Sequence, residues 1–289
     1  MLSQLPQAIA NGVLLAAIYA IVALGLTLTF GVLNVVNFSH GQLITLGAYL
    51  VYELTTRGLS ILLAVPVTMI GLAIVGVLMG EVTFRPVRSV PINGLLVSIG
   101  WIAILENVVN VIWGPNTYTV KPAINGSVNF LNITVSKDEL LVLFVSIVVM
   151  LLLSAGLRYT VTGRALRATA QNREAAALVG IRTRRLDAGV FAIGAGLAAL
   201  AGGALANLFP VVPGTGNNYM VLAFVALIVG GAGSAMGAVV GSLLVGLAVS
   251  ITQTFGSTVV ANVAPFLFLI VVLFFWPMGI FRTGYEASL

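Results

Sequence analysis

The sequence contains no cysteine, a single histidine and only two lysines. Without cysteine there is no disulfide, no thiol nucleophile and no thiolate metal site. With His40 alone, a histidine-based metal cluster is impossible and a Ser-His-Asp triad has almost nothing to build on. Neither Lys121 nor Lys137 follows a glycine, so the chain has no Walker A loop and does not bind nucleotide in that way. Charge is equally scarce. Charged residues make up 7% of the 289 positions and hydrophobic ones 60%, against about 25% charged in a soluble globular protein. The mean hydropathy of +1.13 says the same. A water-soluble enzyme, a nucleic-acid-binding domain and a disordered chain are thereby excluded. The sequence pI near 9.9 does not bring nucleic acid back, because the basic residues are few and gather at what read as membrane faces.

What is present is apolar sequence in runs long enough to cross a bilayer, which takes roughly 20 residues per helix. These runs fall at 9–30, 35–54, 60–80, 92–113, 139–157, 187–209 and 258–277. The stretch 219–255 is longer and broken by Gly230, Gly231, Gly233 and Gly237, and is read as two shorter helices meeting at that break. Backbone in hydrocarbon must satisfy its own hydrogen bonds, so the whole bundle is expected to be helical. The expectation is an all-α polytopic membrane protein, one transmembrane domain over residues 1–289, with about eight transmembrane helices including broken or re-entrant ones.

Sidedness follows from arginine. Residues 158–187 hold seven arginines, namely Arg158, Arg164, Arg167, Arg173, Arg182, Arg184 and Arg185, against Glu174 and Asp187. The loop at 81–91 adds Arg85 and Arg88, two spans away and so on the same side. That side is read as cytoplasmic. The stretch 114–138 and the amino terminus then face outward, and Arg282 inward. The first basic residue is Arg57, so the amino-terminal segment lacks a signal peptide's charged start and is expected to stay in the protein. Asn125-Gly-Ser127 and Asn132-Ile-Thr134 match the glycosylation pattern, a weak signal.

Two regions share a plan. Residues 24–54 and 223–250 each pair an apolar helix ending in glycine with an irregular small or polar segment and a second apolar helix. Such duplications, with broken helices along the pathway, are common in transporters. Gly-rich apolar sequence also aligns with itself easily.

Catalytic signatures do not survive inspection. Gly194-Ala-Gly196 imitates a dinucleotide fingerprint but lies inside an apolar helix with no strand before it. Asn37-Phe-Ser39-His40-Gly41 imitates a nucleophile elbow but has Asn where Gly is required. Three other features carry the functional argument. The first is small residues at spacings of four: Gly233, Gly237 and Gly241; Gly194, Ala198, Gly202 and Ala206; Gly76 and Gly80. They let helix backbones approach closely. Intramolecular packing is the plain reading, and a sliding interface the functional one. The second is polarity at membrane depth. Glu106, Asn107 and Asn110 share a face of the fourth span, and Asn34, Asn37, Ser39 and His40 gather at the first helix break. An ionised group at the bilayer centre costs roughly 3 kcal/mol on insertion scales, so Glu106 should face protein or water, or be protonated. These residues either line a solute path or tie helices together. His40 is placed near the cytoplasmic boundary, and Glu53 and Glu81 are read as solvated span ends.

The third feature lies in the arginine-rich loop. Asn172 can cap a helix start and Gly180 can end it, enclosing Arg173-Glu174-Ala175-Ala176-Ala177-Leu178-Val179. So short a helix is marginal alone in water. It calls for a docking surface, its alanine-rich face suiting a groove and the flanking arginines an acidic rim. A surface helix beside an anionic lipid face is the alternative.

At this loop the sequence resembles a known family. Glu174-Ala175-Ala176 followed by Gly180-Ile181 is similar to the EAA-type motif of ABC importer permeases. The preceding Gly163-Arg164-Ala165-Leu166-Arg167-Ala168 resembles the LivH-type branched-chain amino acid permeases. So do Ala23-Leu24-Gly25-Leu26, the run from Phe30 to Gly41, and Val229-Gly230-Gly231-Ala232-Gly233-Ser234. The resemblance spans essentially the whole chain. It implies a subunit that forms half of the pathway for ATP-driven uptake of branched-chain or other neutral amino acids. It also implies a second homologous permease, two cytosolic ATPases that bind the ATP and magnesium, and an extracytoplasmic solute-binding protein. On that basis Glu174 to Gly180, with Arg164 and Arg167 nearby, is the coupling helix, this chain carries no cofactor, and 210–219 faces the binding protein. A self-sufficient secondary transporter or channel, a scaffold without transport, and urea or short amides as the solute remain the competing readings. Glu106 is unexpected in a path for aliphatic amino acids.

Overall fold

A computed structural model describes residues 4–33, 36–87, 90–130 and 133–281. Asn34, Arg88, Asn132 and Arg282, all used above, lie outside them. The apolar runs form nine long helices among the described residues. These are α1 (Leu5–Leu33), α2 (His40–Thr56), α3 (Ile61–Leu78), α5 (Pro91–Trp113), α6 (Lys137–Tyr159), α9 (Thr183–Leu208), α10 (Thr215–Gly230), α11 (Ala235–Phe255) and α12 (Thr258–Phe275). Three short helices stand between them: α4 (Arg85–Val87), α7 (Val161–Gln171) and α8 (Arg173–Leu178). Among the described residues six helices are long and apolar enough to cross a membrane, while α10 and α12 are shorter apolar helices.

The sequence of α1 is apolar on every side, and such a helix is buried on every side. It and α9 form the centre of the bundle, whereas α3, α5 and α6 leave most of their surface exposed. Small residues set the packing distances. α1 lies antiparallel on α11, with Gly12 against Leu247 and Ser250 Oγ donating to Ala8 O at 2.6 Å. α9 takes α2 against Ala199 and Gly202, and α3 against Phe191 and Ala195. Gly237 and Gly241 press on Gly230 and Ala226 of α10, and Gly233 sits in the turn before α11. Gly237 and Gly241 thus make close backbone contacts within the chain.

The two ends of the bundle are chemically distinct. Arg184 of α9 and Arg85 of α4 both pair with Glu81, at 3.0 Å each, so the two arginine-bearing loops share one end. The chain beyond α12 returns to that end, where Ile280 N and Phe281 N donate to Val229 O and Gly230 O. Glu81 lies in a π-helical stretch, Met79–Phe84, that continues α3. Glu53 is also engaged, by Arg57 and by Trp113 Nε1 at 3.2 Å. Neither acid is simply solvated, as its position at a span end had suggested.

The opposite end departs from the all-helical expectation. Residues Ser127–Phe130 (β1) and Ile133–Ser136 (β2) form an antiparallel hairpin pairing Ser127 with Ser136 and Phe130 with Ile133. Only hydrocarbon forbids an open strand edge, and this segment lies beyond the helices. Part of the edge is covered by Gln7 of α1, whose amide exchanges two hydrogen bonds with the Thr134 backbone, at 2.8 and 3.0 Å. Ser136 and Glu139 then form a reciprocal capping box that starts α6. A bridge between Tyr118 and Val211 ties the 114–126 segment to the chain entering α10.

α2 and α10 do not begin at the ends. The His40 imidazole packs on Gly25 of α1. Gly25 lies eight residues before Leu33, about 12 Å along the helix. His40 is therefore well inside the bundle, not at the boundary as expected. α10 likewise begins inside, Tyr219 lying 6.0 Å from Tyr19, the middle residue of α1. α2 and α10 are thus the helical parts of broken spans whose amino-terminal ends meet at depth. The plan shared by 24–54 and 223–250 is only partial: both pairs turn back at the arginine-rich end, but α11 starts there and α2 starts recessed.

Candidate functional site

The contact between the two recessed helix starts is backbone-close. Gly216 N donates to Thr45 Oγ1 at 3.0 Å. A Cβ on Gly216 would fall on Gly41 O, and one on Gly41 would lie 2.9 Å from Asn217 Oδ1. Only glycine at 216 permits this approach, and a side chain at 41 would push Asn217 aside. Two helix N-termini together favour negative charge in front of them. Glu106 reaches this place from α5. Gln42 Nε2 is 3.4 Å from Glu106 Oε2 and 3.3 Å from Asn217 Oδ1, so one amide links three helices. Gln42 is fully buried, and its Oε1 has no hydrogen-bond partner among the described residues. Glu106 and Asn217 are half-buried. α5 packs mainly on α2, and the part-exposed Glu106 and Asn217 leave the cluster accessible from outside the chain.

The residues expected to line a path therefore separate. Glu106 belongs to the junction. Asn107 and Asn110 are exposed on the outer side of α5, with Asn107 Nδ2 donating to its own helix at Ala103 O. Asn37 and Ser39 are buried and spent on each other: Asn37 Oδ1 accepts from Ser39 N and Oγ, at 3.1 and 2.5 Å. They form the turn that opens α2. His40 is buried, with Nε2 unpartnered among the described residues. Asn217 and Asn218, expected on the outward segment, lie instead in the first turn of α10.

At the arginine-rich end the loop 158–187 holds two helices where one was expected. α7 is capped by Thr160, whose Oγ1 accepts from Gly163 N at 2.9 Å, and it buries Gly163, Leu166 and Thr169. Arg164 and Arg167 are on its exposed face. α8 begins and ends at the expected residues. Asn172 Oδ1 accepts from Ala175 N at 2.9 Å. Gly180, at φ 85°, closes the helix, its N–H bonding Ala177 O while Ile181 N bonds Ala176 O. This double closure requires a left-handed residue at Gly180. The face assignments differ from expectation in two respects. Ala176 is buried against this chain, and Arg173 is half-buried in an ion pair with Asp187 of α9. Glu174, Ala175, Leu178 and Val179 are exposed, Leu178 at 88% and Val179 at 78%. The free surface is thus an apolar knob beside an acid.

A separate cavity of about 580 Å³ lies among α1, α10, α11 and α12, with Asn11, Tyr19, Asn218, Tyr219 and Gln253 in its wall. Gln42, Thr45, Tyr19 and Tyr219 were not singled out from the sequence because each stands in a largely apolar run. The one available signal was a glutamine among apolar residues at 42. No group of three or more His, Asp or Glu residues that could hold a metal occurs among the described residues.

Comparison with known proteins bears on both regions. A family model described as branched-chain amino acid transport system / permease component matches residues 8–275. The high-affinity branched-chain amino acid transport system permease protein LivH of Salmonella typhimurium is 34% identical, covering 95% of this chain and 94% of its own. Its counterpart from Escherichia coli is 33% identical over the same shares. The permease protein BraD of Pseudomonas aeruginosa is 31% identical, again over 95% and 94%. No solved structure gives a significant match. With a family model spanning nearly all of its residues and relatives above 30% identity along 95% of its length, this multi-pass bacterial inner-membrane chain belongs to the permease components of the branched-chain amino acid transport system.

Proposed function

We propose that the chain is one half of the transmembrane pathway of an ATP-driven amino acid importer and that α8 is the segment on which a cytosolic ATPase pushes. A second, homologous permease supplies the other half, and two ATPase subunits bind the ATP and magnesium. A solute-binding protein delivers the amino acid at the hairpin end. The observation that carries this reading is the construction of α8. It is capped at both ends, anchored by Arg173 to the core helix α9, and yet presents Leu178 and Val179 almost fully to the outside. An apolar knob on a rigid base suits a groove on another protein. The rigid base transmits displacement to α9, which contacts α1, α2 and α3. The absence of a Walker A loop is consistent with hydrolysis on the partner. The arginines of α7, with the bilayer nearby, can also meet anionic lipid headgroups.

The test is uptake of a branched-chain amino acid into vesicles carrying the chain with its co-expressed partners, with ATP hydrolysis measured in parallel. Leu178→Asp and Gly180→Val should both lower uptake per ATP at least tenfold while the protein remains folded in the membrane. Nothing stands within 4 Å of a Cβ at Gly180, so that variant acts through backbone strain alone. Normal uptake in both would remove α8 from the coupling role. Uptake by the chain alone, driven by an ion gradient, would favour a self-sufficient transporter.

A further inference from the structure

At the junction of α2, α5 and α10 one buried acceptor is left without a donor among the described residues. Gln42 Nε2 serves both Glu106 Oε2 and Asn217 Oδ1. Flipping the amide would set its oxygen against those two acceptors, so the orientation follows from the neighbours. That leaves Gln42 Oε1, fully buried and without a partner among the described residues, in a cluster with a carboxylate. An orphaned acceptor in such a place is costly and calls for an explanation. A carboxylate kept at membrane depth marks a functional position by default. Whatever completes the cluster must bring positive charge and several N–H donors.

We propose that Glu106, Gln42 and Asn217 form the subsite that receives the α-ammonium group of the amino acid in transit. The proposal rests on the importer reading and deepens it. An ammonium has three donors and no acceptor. It can pair with the Glu106 carboxylate and satisfy Gln42 Oε1 together. A ligand carboxylate at the same point would meet Glu106 and be repelled. The half-buried state of Glu106 and Asn217 leaves the cluster accessible from outside the chain, and Gly41 and Gly216 let the two helix starts close behind it. Glu106, out of place in a path lined for an aliphatic side chain, suits the one cationic group that every amino acid substrate carries.

The test uses proteoliposomes with the complete importer and saturating leucine-loaded binding protein, so that capture outside is not limiting. Glu106→Gln should lower leucine uptake at least tenfold, and Glu106→Asp should recover it to within threefold of wild type. Gln42→Met deletes the unpaired oxygen at nearly constant volume and should lower uptake in the same direction; it keeps the proposal testable where Glu106→Gln fails to assemble. Isopentylamine, leucine without its carboxylate, should inhibit wild-type uptake. 4-Methylpentanoate, leucine without its ammonium, should not at the same concentration. Uptake by Glu106→Gln within twofold of wild type, or equal inhibition by the two analogues, would overturn the subsite while leaving the importer reading intact. Absence of uptake by the wild-type complex would overturn both.

Discussion

Arg173, the first residue of α8, is ion-paired to Asp187, in the first turns of α9. The pair fastens a six-residue helix at the surface to the start of α9, whose later turns lie in the centre of the bundle. A charged hydrogen bond of this kind contributes about 2 kcal/mol, and the pair is partly screened because Arg173 keeps some exposure. Arg173→Ala is expected to leave the protein folded, to loosen α8 and to lower uptake per ATP three- to tenfold. Arg173→Lys should retain more coupling than alanine, since a point charge replaces the guanidinium without its second donor. Parallel measurement of vesicle uptake and ATP hydrolysis reads this ratio. An unchanged ratio in Arg173→Ala would mean that α8 is held by its caps alone.

The caps themselves can be weighed. Asn172 accepts from Ala175 N, and replacing such a residue by alanine costs about 1 kcal/mol. For Asn172→Ala the amides of residues 175–178 should exchange with solvent about fivefold faster, whereas Asn172→Asp should keep them protected. Hydrogen exchange on the assembled complex gives the answer directly.

Glu81 receives both Arg85 and Arg184, but both arginines are largely exposed. Surface pairs of this kind are worth roughly 0–1 kcal/mol. Glu81→Gln should therefore move the thermal midpoint of the purified complex by no more than a few degrees. A larger drop would mark the π-helical turn at Met79–Phe84, and not the charge, as the element Glu81 supports.

The helices themselves were legible because each apolar run had to close its own backbone hydrogen bonds. The two ends of α8 were legible because Asn172 and Gly180 act through local geometry. Depth was not legible. His40 read as lying near the cytoplasmic boundary, whereas Asn37 and Ser39 form a turn that starts α2, with His40, inside the bundle. Nor was the inward face of α8: in a run of alanines nothing distinguishes Ala176, which is buried, from Ala175, which is exposed. The junction required Gln42, a single polar residue among apolar neighbours, to be matched with Asn217 across 175 positions of chain. The hairpin rests on two four-residue strands, too short for their alternation to stand out from a polar loop.

The close approach of α2 and α10 makes the sharpest demand on sequence. A methyl group at Gly216 would fall on Gly41 O and press on Thr45 Oγ1 and the Thr45 backbone, none of which is the far end of a flexible side chain. Overpacking of this sort costs about 1–3 kcal/mol or more. It would also force Gln42 and Asn217 apart. Gly71, on the exposed side of α3, has nothing within 4 Å of a Cβ, and a helix gains about 0.5–1 kcal/mol when an open glycine becomes alanine. Gly216→Ala should therefore lower the thermal midpoint of the purified complex and cut leucine uptake severely, while Gly71→Ala should hold or raise the midpoint with uptake unchanged. If the two variants behaved alike, the meeting of the two helix starts would not be the constraint that these glycines serve.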